Sequence, residues 1–251
     1  MAKQSGIIKL KGTIGDITFY KSQDGYLARE KGGVDRARIM SDPKFQRTRE
    51  NAAEFGQAGK ASKLLFGALR PVIRRAKDGR AFSRLVREML KVIQSNPVER
   101  RGERSLTGGD LTLLRGFDFN RNAPLSTTFY APSTWAIDRT AGTAVVEVPE
   151  FNPMDLLSSP RGTTHFRFIS AVVGIDFYTE EFSLAQEHSV ELFYESDLVP
   201  TVTHRFDISG PLFERTCFLV FGVEFLQEVN GMYYSLNNGS YNPLNVVVVG
   251  T

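Results

Sequence analysis

The stretch VTHRFDI, residues 202–208, carries the pattern that decides the fold of the second half of the chain. Its apolar residues occupy every second position from Val202 to Ile208, which places them on one face of an extended strand. Other runs after residue 105 share its β-branched and aromatic residues, and Pro, Gly, Asn and Asp separate them. They cover residues 127–131, 143–148, 165–178, 190–194, 216–226, 232–236 and 246–249. Roughly seven or eight short strands of this kind predict an antiparallel β-sandwich or barrel-like domain.

Before residue 105 the apolar residues recur every three or four positions, which predicts helices. Ser41 or Asp42, followed by Pro43, begins the first helix, because a side-chain oxygen caps free N–H groups and proline suits the first turn. Gly56 and Gly59 predict that this helix ends or bends there. The last helix has the clearest apolar stripe, formed by Phe82, Leu85, Val86, Met89, Leu90 and Ile93.

These patterns predict an α+β protein in two parts. Residues 1–104 are expected to form a small N-terminal β-hairpin region, with a turn at Asp24 and Gly25, and basic helices. Residues 105–251 are expected to form the acidic, all-β antiparallel domain. The first part holds 24 Lys and Arg against 11 Asp and Glu, whereas the second holds 7 against 17. This division of charge predicts a domain boundary in the Arg- and Gly-rich stretch 97–110.

The sequence contains no recognised arrangement of catalytic or metal-binding residues. His165, His188 and His204 are far apart, and neither C-x-x-C nor H-E-x-x-H occurs. The single cysteine, Cys217, lies in an apolar run, and there is no G-x-S-x-G motif or glycine-rich phosphate loop. A non-enzymatic protein without cofactor or metal is therefore expected.

Targeting signals are also missing from the sequence. Lys3, Lys9 and Lys11 interrupt any apolar run near the start, which argues against a signal peptide. The longest apolar stretches, residues 217–223 and 246–249, are far shorter than the ~20 residues of a membrane span. We expect a protein of the cytoplasm, or one released by a route that needs no signal peptide.

The helical segment 36–104 is rich in arginine, with 13 Arg among 18 basic residues against 7 acidic ones. A candidate basic surface comprises Arg70, Arg74, Lys77, Arg84, Arg87 and Lys91. Such a surface could contact nucleic-acid phosphates. However, the aromatic residues of the segment are assigned to core positions, and no Tyr or Trp is available there to stack on bases. A solvated arginine face, or a match to an acidic surface, explains the same pattern.

The leading hypothesis is a self-assembling structural protein, such as a filament or sheath-like subunit. Opposite charges on the two parts favour a head-to-tail contact between copies, and contacts of that kind build open polymers or rings. Terminal strands could add pairing between copies. The candidate assembly strands contain Ile7, Ile8 and Leu10 at one end and Val246, Val247, Val248 and Val249 at the other.

A third hypothesis is a ligand- or carbohydrate-binding β module. It would use aromatic residues exposed on loops of the β domain, and the candidates are Trp135, Tyr233, Tyr234 and Tyr241.

Four stretches of the chain resemble a family of uncharacterised proteins from Bacteroidota. They are GTIGDITFYKSQDGYLARE (12–30), DPKFQRTRENAAEFGQAGKASKLL (42–65), LRGFDFNRNAPL (114–125) and FLQEVNGMYYSLNNGSYNPLNVVVV (225–249). The family has the GTIG-x-x-x-FY segment, an arginine-rich helical middle and a β-rich C-terminal domain. The resemblance implies a bacterial origin, and it implies no activity, cofactor or site residue.

Overall fold

Residues 1–30, 33–76 and 78–250 are described by a computed structural model. Helices and antiparallel sheets are combined in one chain, and strands dominate its C-terminal part, which confirms the predicted α+β class. The described residues divide into two units, Met1–Arg49 and Glu50–Thr251.

The N-terminal unit contains a small antiparallel sheet. Its described strands are β1 (Ala2–Lys3), β2 (Gly12–Ile14), β3 (Ile17–Ser22) and β4 (Gly25–Glu30), in the order β1-β4-β3-β2. The predicted hairpin turn joins β3 to β4, where Ser22 pairs with Gly25 and the positive φ of Gly25 suits glycine. A short helix follows, α1 (Arg36–Ser41), which the side chain of Asp35 caps.

Three helices follow, namely α2 (Gln46–Ala68), α3 (Arg70–Ile73) and α4 (Ala81–Gln94). Helix α2 runs without a break through Gly56 and Gly59, so the predicted end or bend is wrong. Each glycine costs about 1 kcal/mol relative to alanine, and the burial of side chains such as Leu65 offsets that cost. The chain does break before Pro71, which occupies the first turn of α3.

The buried stripe of α4 is confirmed for most of its predicted members. Leu85, Met89 and Ile93 are fully buried, but Phe82 is 40% exposed at the start of the helix.

The β part begins with α5 (Leu125–Thr128), a single turn where the sequence predicted a strand at 127–131. Pro124 precedes this turn, and Phe129 donates its N–H to the carbonyl of Leu125. The remaining elements are β5 (Thr134–Asp138), β6 (Thr143–Val148), α6 (Pro153–Leu156), β7 (His165–Asp176), β8 (Glu181–His188), β9 (Leu192–Phe193), β10 (Val202–Asp207), β11 (Thr216–Val229), β12 (Met232–Ser235) and β13 (Leu244–Gly250).

Two antiparallel sheets are formed by the described strands after residue 133. The smaller has the order β10-β6-β5. The larger has the order β12-β11-β7-β8, with β13 also paired to β11 and β9 also paired to β7. Strands β7 and β11 are nearly continuous apolar runs because both of their faces are covered.

The faces of the larger sheet belong to two different apolar cores. Phe218 and Val220 of β11 pack in a cluster with α2, α3 and α4, whereas Leu219 and Phe221 pack in a cluster with β6 and β10. The basic helices therefore cover one face of the β domain, within the unit that begins at Glu50. This differs from the predicted domains 1–104 and 105–251, because the apolar faces of the helices have to be buried against the sheet.

Candidate functional site

The N-terminal unit exposes its apolar residues. Among residues 1–30 and 33–49 none is buried. Ile7, Ile8 and Leu10 are all exposed and lie in an irregular segment between β1 and β2, which corrects the prediction of a strand there. The side-chain amide of Gln4 explains the difference: it accepts a hydrogen bond from the N–H of Leu10 at 2.9 Å and so replaces a strand partner.

This unit is also basic. Residues 1–49 hold 11 Lys and Arg against 5 Asp and Glu, a net charge of +6, whereas residues 50–251 hold 20 against 23, a net charge of −3. Strand β2 lies at an edge of the sheet, Lys9 and Lys11 precede it, and Ile14 within it is exposed.

Strand β8 is an edge of the larger sheet that the sequence analysis did not identify. Its sequence, EFSLAQEH, is mostly polar and lacks a clear apolar period. It pairs with β7 alone among the described strands.

The direction of the β8 backbone groups follows from one hydrogen bond. Ser189 donates its N–H to the carbonyl of Phe168 at 3.0 Å, and hydrogen-bonded pairs alternate along an antiparallel ladder. By this alternation Phe182, Leu184 and Gln186 direct their N–H and C=O groups away from β7.

Acidic groups surround this edge. Glu181 and Glu187 are exposed near its two ends. Backbone N–H groups of Tyr178 and Thr179 donate to Asp176 and hold the pKa of its carboxyl below its usual value. The edge is therefore negatively charged at neutral pH.

The C-terminal candidate strand is not available in the same way. Val246–Val249 do form part of β13, but Val246 pairs with Val220 of β11 on one side. On the other side, Val246 donates its N–H to Phe117 at 3.0 Å and accepts a hydrogen bond from Gly116 at 2.7 Å. The expectation of a free terminal edge at Val246 is therefore corrected, because the loop before α5 already occupies it.

The candidate basic surface is divided by the structure. Arg84 turns inward to Asp78 and to the carbonyl of Asp118, and Arg87 and Lys91 both pair with Glu88. Lys77 lies outside the described residues.

Arg70 and Arg74 differ, because they line a groove of about 540 Å³ next to α3. The groove is also lined by Lys63, Phe66 and Phe82. Sequence reasoning missed Lys63, which lies one helix earlier, and it placed the ring of Phe82 in the core.

The buried ionisable groups have structural partners. Nδ1 of His204 lies 2.8 Å from the hydroxyl of Ser170, and burial lowers the pKa of His204. Cys217 donates its thiol to the carbonyl of Phe213, and burial raises the pKa of that thiol. Within the described residues, no cluster of three or more His, Cys, Asp and Glu side chains could hold a metal ion.

The aromatic candidates of the β domain do not come together in a described pocket. Trp135 packs 6.0 Å from Phe221, whereas Tyr233, Tyr234 and Tyr241 are exposed on β12 and the turn after it.

None of the described helices is long and apolar enough to cross a membrane. Comparison with protein-family models, with curated proteins and with solved structures gives no match.

Proposed function

We propose that the protein is a non-enzymatic, self-associating structural subunit whose N-terminal unit adds a strand to the β8 edge of a second copy. The observation that carries this proposal is the lack of any buried side chain among residues 1–30 and 33–49. A sheet needs an apolar face packed against something to repay the entropy of ordering its backbone. A partner surface would supply that packing.

The β8 edge offers the matching half of the contact. Its outward N–H and C=O groups can form a ladder with an incoming strand, as in β-strand addition. The segment around β2 is a suitable strand, because Ile7, Ile8 and Leu10 are exposed and Ile14 is already in an edge strand. Backbone pairing and the isoleucine side chains would provide the affinity.

Charge favours a second copy as the occupant of the edge. Lys9 and Lys11 flank β2 in a unit of net charge +6, and Glu181 and Glu187 flank the β8 edge. Exposed ion pairs add only about 0–1 kcal/mol each, so they set register and association rate more than affinity. Because the two surfaces are different, the contact is heterologous and builds a filament unless its rotation closes a ring.

The first test removes one outward N–H group from β8. Gln186→Pro deletes that donor without removing a bond to β7, and Gln186→Ala is the matched control that keeps it. We expect the mass measured by light scattering to fall toward the monomer for Gln186→Pro only. A wild-type protein that is strictly monomeric at low salt and micromolar concentration would contradict the proposal.

The second test exchanges the charges. Lys9→Glu with Lys11→Glu should slow assembly, and so should Glu181→Lys with Glu187→Lys. Mixing the two variants should restore assembly, because each presents the charge that the other lacks. Failure of the mixture to assemble, with both variants folded by circular dichroism, would remove these two surfaces from the contact. Negative-stain electron microscopy would distinguish filaments from rings.

A further inference from the structure

The groove lined by Lys63, Phe66, Arg70, Arg74 and Phe82 combines cations with aromatic rings. We propose that it binds a nucleotide unit, with the phosphate held by the cations and the base stacked on Phe82. Its volume of about 540 Å³ is within the range of small-molecule sites, which is about 300–1,000 Å³. This site is separate from the surfaces of the proposed self-association.

The three cations of the groove are available for an anion. Lys63, Arg70 and Arg74 are exposed, and none of them forms an ion pair with a described carboxylate. Nearby cations differ in this respect, because Lys60 pairs with Glu180 and Arg75 pairs with Glu224. A protein that balances its other arginines but leaves three basic side chains around one concavity has a surface suited to a dianion. The planar guanidinium groups can hold phosphate oxygens in pairs.

The aromatic rings give the groove a face for a base. Phe66 and Phe82 contact each other edge to face, with ring centroids 5.6 Å apart, and Phe66 also lies 6.3 Å from the buried Phe119. Phe66 thus anchors Phe82, which remains 40% exposed beside the cations. Stacking on an anchored ring accepts any base and requires that the base be unpaired.

This combination favours a nucleotide over other anions. Inorganic phosphate or polyphosphate would use the cations and leave the rings exposed. A duplex would keep its bases stacked inside the helix and out of reach of Phe82. The ligand is therefore a free nucleotide or one unit of a single strand, which share the same chemistry.

The experiment measures binding of fluorescein-labelled oligo(dT) to the full chain by anisotropy. AMP, a duplex of the same length and inorganic polyphosphate serve as competitors. We expect oligo(dT) to bind and polyphosphate and duplex to compete more weakly. Competition by AMP at a similar concentration per nucleotide identifies a free nucleotide as the ligand, whereas failure of AMP to compete identifies a single strand.

Two variants test the two halves of the site. Arg74→Ala should weaken oligo(dT) binding about 10-fold and reduce the salt dependence by about 0.7 in log–log slope, the value for one phosphate contact on a single strand. Phe82→Leu keeps an apolar contact to Phe66 and should weaken oligo(dT) about 5- to 10-fold, with little effect on polyphosphate. Arg87→Ala is the control, because Arg87 is exposed but pairs with Glu88 outside the groove.

The proposal is overturned if oligo(dT) does not bind, or if polyphosphate competes equally well. It is also overturned if a folded Phe82→Leu protein binds oligo(dT) as tightly as the wild type. Because none of these variants alters β2 or β8, light scattering of the same samples shows separately whether self-association is intact.

Discussion

Arg75, which follows α3, forms an ion pair with Glu224 of β11, with 3.0 Å between Nη1 and Oε2. Glu224 is 3% exposed and also accepts a hydrogen bond from Nε of Arg167 at 2.8 Å. The carbonyl of Arg75 accepts a further hydrogen bond from the side chain of Asn242. Part of the charge difference between the basic helices and the acidic β domain is thus neutralised inside one unit.

We predict that Glu224→Gln destabilises the protein by about 3 kcal/mol. The substitution leaves the guanidinium of Arg167 largely buried without its carboxylate, and breaking a buried pair costs more than the pair itself contributes. Urea unfolding would measure the change. Glu228→Gln is the control, because that carboxylate is exposed and its removal should change the free energy of unfolding by less than about 0.5 kcal/mol. Equal effects of the two substitutions would show that the buried network is unimportant for stability.

The larger elements could be predicted from the sequence because each has a strong period. The stripe of α4 and the apolar run of β11 are examples, since a helix or strand with such a pattern must bury it. Strand β8 could not be predicted, because a sheet edge exposes polar residues and so lacks the signal of burial. The position of Phe82 also failed, because helical spacing gives the direction of a side chain but not what covers it.

Surfaces made by distant residues were harder still to predict. Arg70 and Arg74 were identified by composition, but Lys63 joins them only through the packing of α2 beside α3. The occupied side of Val246 depends on Gly116 and Phe117, more than a hundred residues earlier. Sequence period contains no information on such long-range pairing.

We predict that Leu85→Asp destabilises the protein by more than about 4 kcal/mol. Leu85 is fully buried between the helices and the larger sheet, and the substitution places a carboxylate in an apolar core. The melting temperature measures the effect, and Arg87→Ala on the exposed face of the same helix should leave it nearly unchanged. An unchanged melting temperature for Leu85→Asp would remove α4 from the core.

Two glycine substitutions should have opposite signs. Gly56→Ala should stabilise the protein by about 0.5–1 kcal/mol, because Gly56 lies inside α2 with open space around its missing Cβ. Gly222→Ala should destabilise it by about 1–3 kcal/mol, because a Cβ there would overlap the carbonyl oxygen of Pro243. Chemical denaturation of both variants checks the pair. A stabilising Gly222→Ala would mean that β13 can move away from β11 at little cost.

The last prediction concerns His204, which is 2% exposed and whose Nε2 has no partner among the described residues. Burial is the main cause that lowers the pKa of His204; Glu187 raises it and His188 lowers it by smaller amounts. An exposed histidine has a pKa of about 6.5. Below that pH the unfolded chain binds a proton that folded His204 does not bind. The free energy of unfolding should therefore decrease as the pH falls below about 6.5, by at most about 1.4 kcal/mol per pH unit, until the lowered pKa of the folded state is reached.

Urea unfolding at about pH 7 and about pH 5.5 would measure this decrease, since both values lie within the range in which histidine titrates. Carboxyls such as Asp78, Asp176 and Asp207 do not interfere, because their lowered pKa values confine their effect to more acidic solutions. His204→Gln should lose most of the pH dependence, although it also loses some stability at neutral pH. His188→Gln, at an exposed position on β8, should retain the dependence. If wild type and His204→Gln lose the same free energy between the two pH values, the burial of His204 is not the source of acid sensitivity.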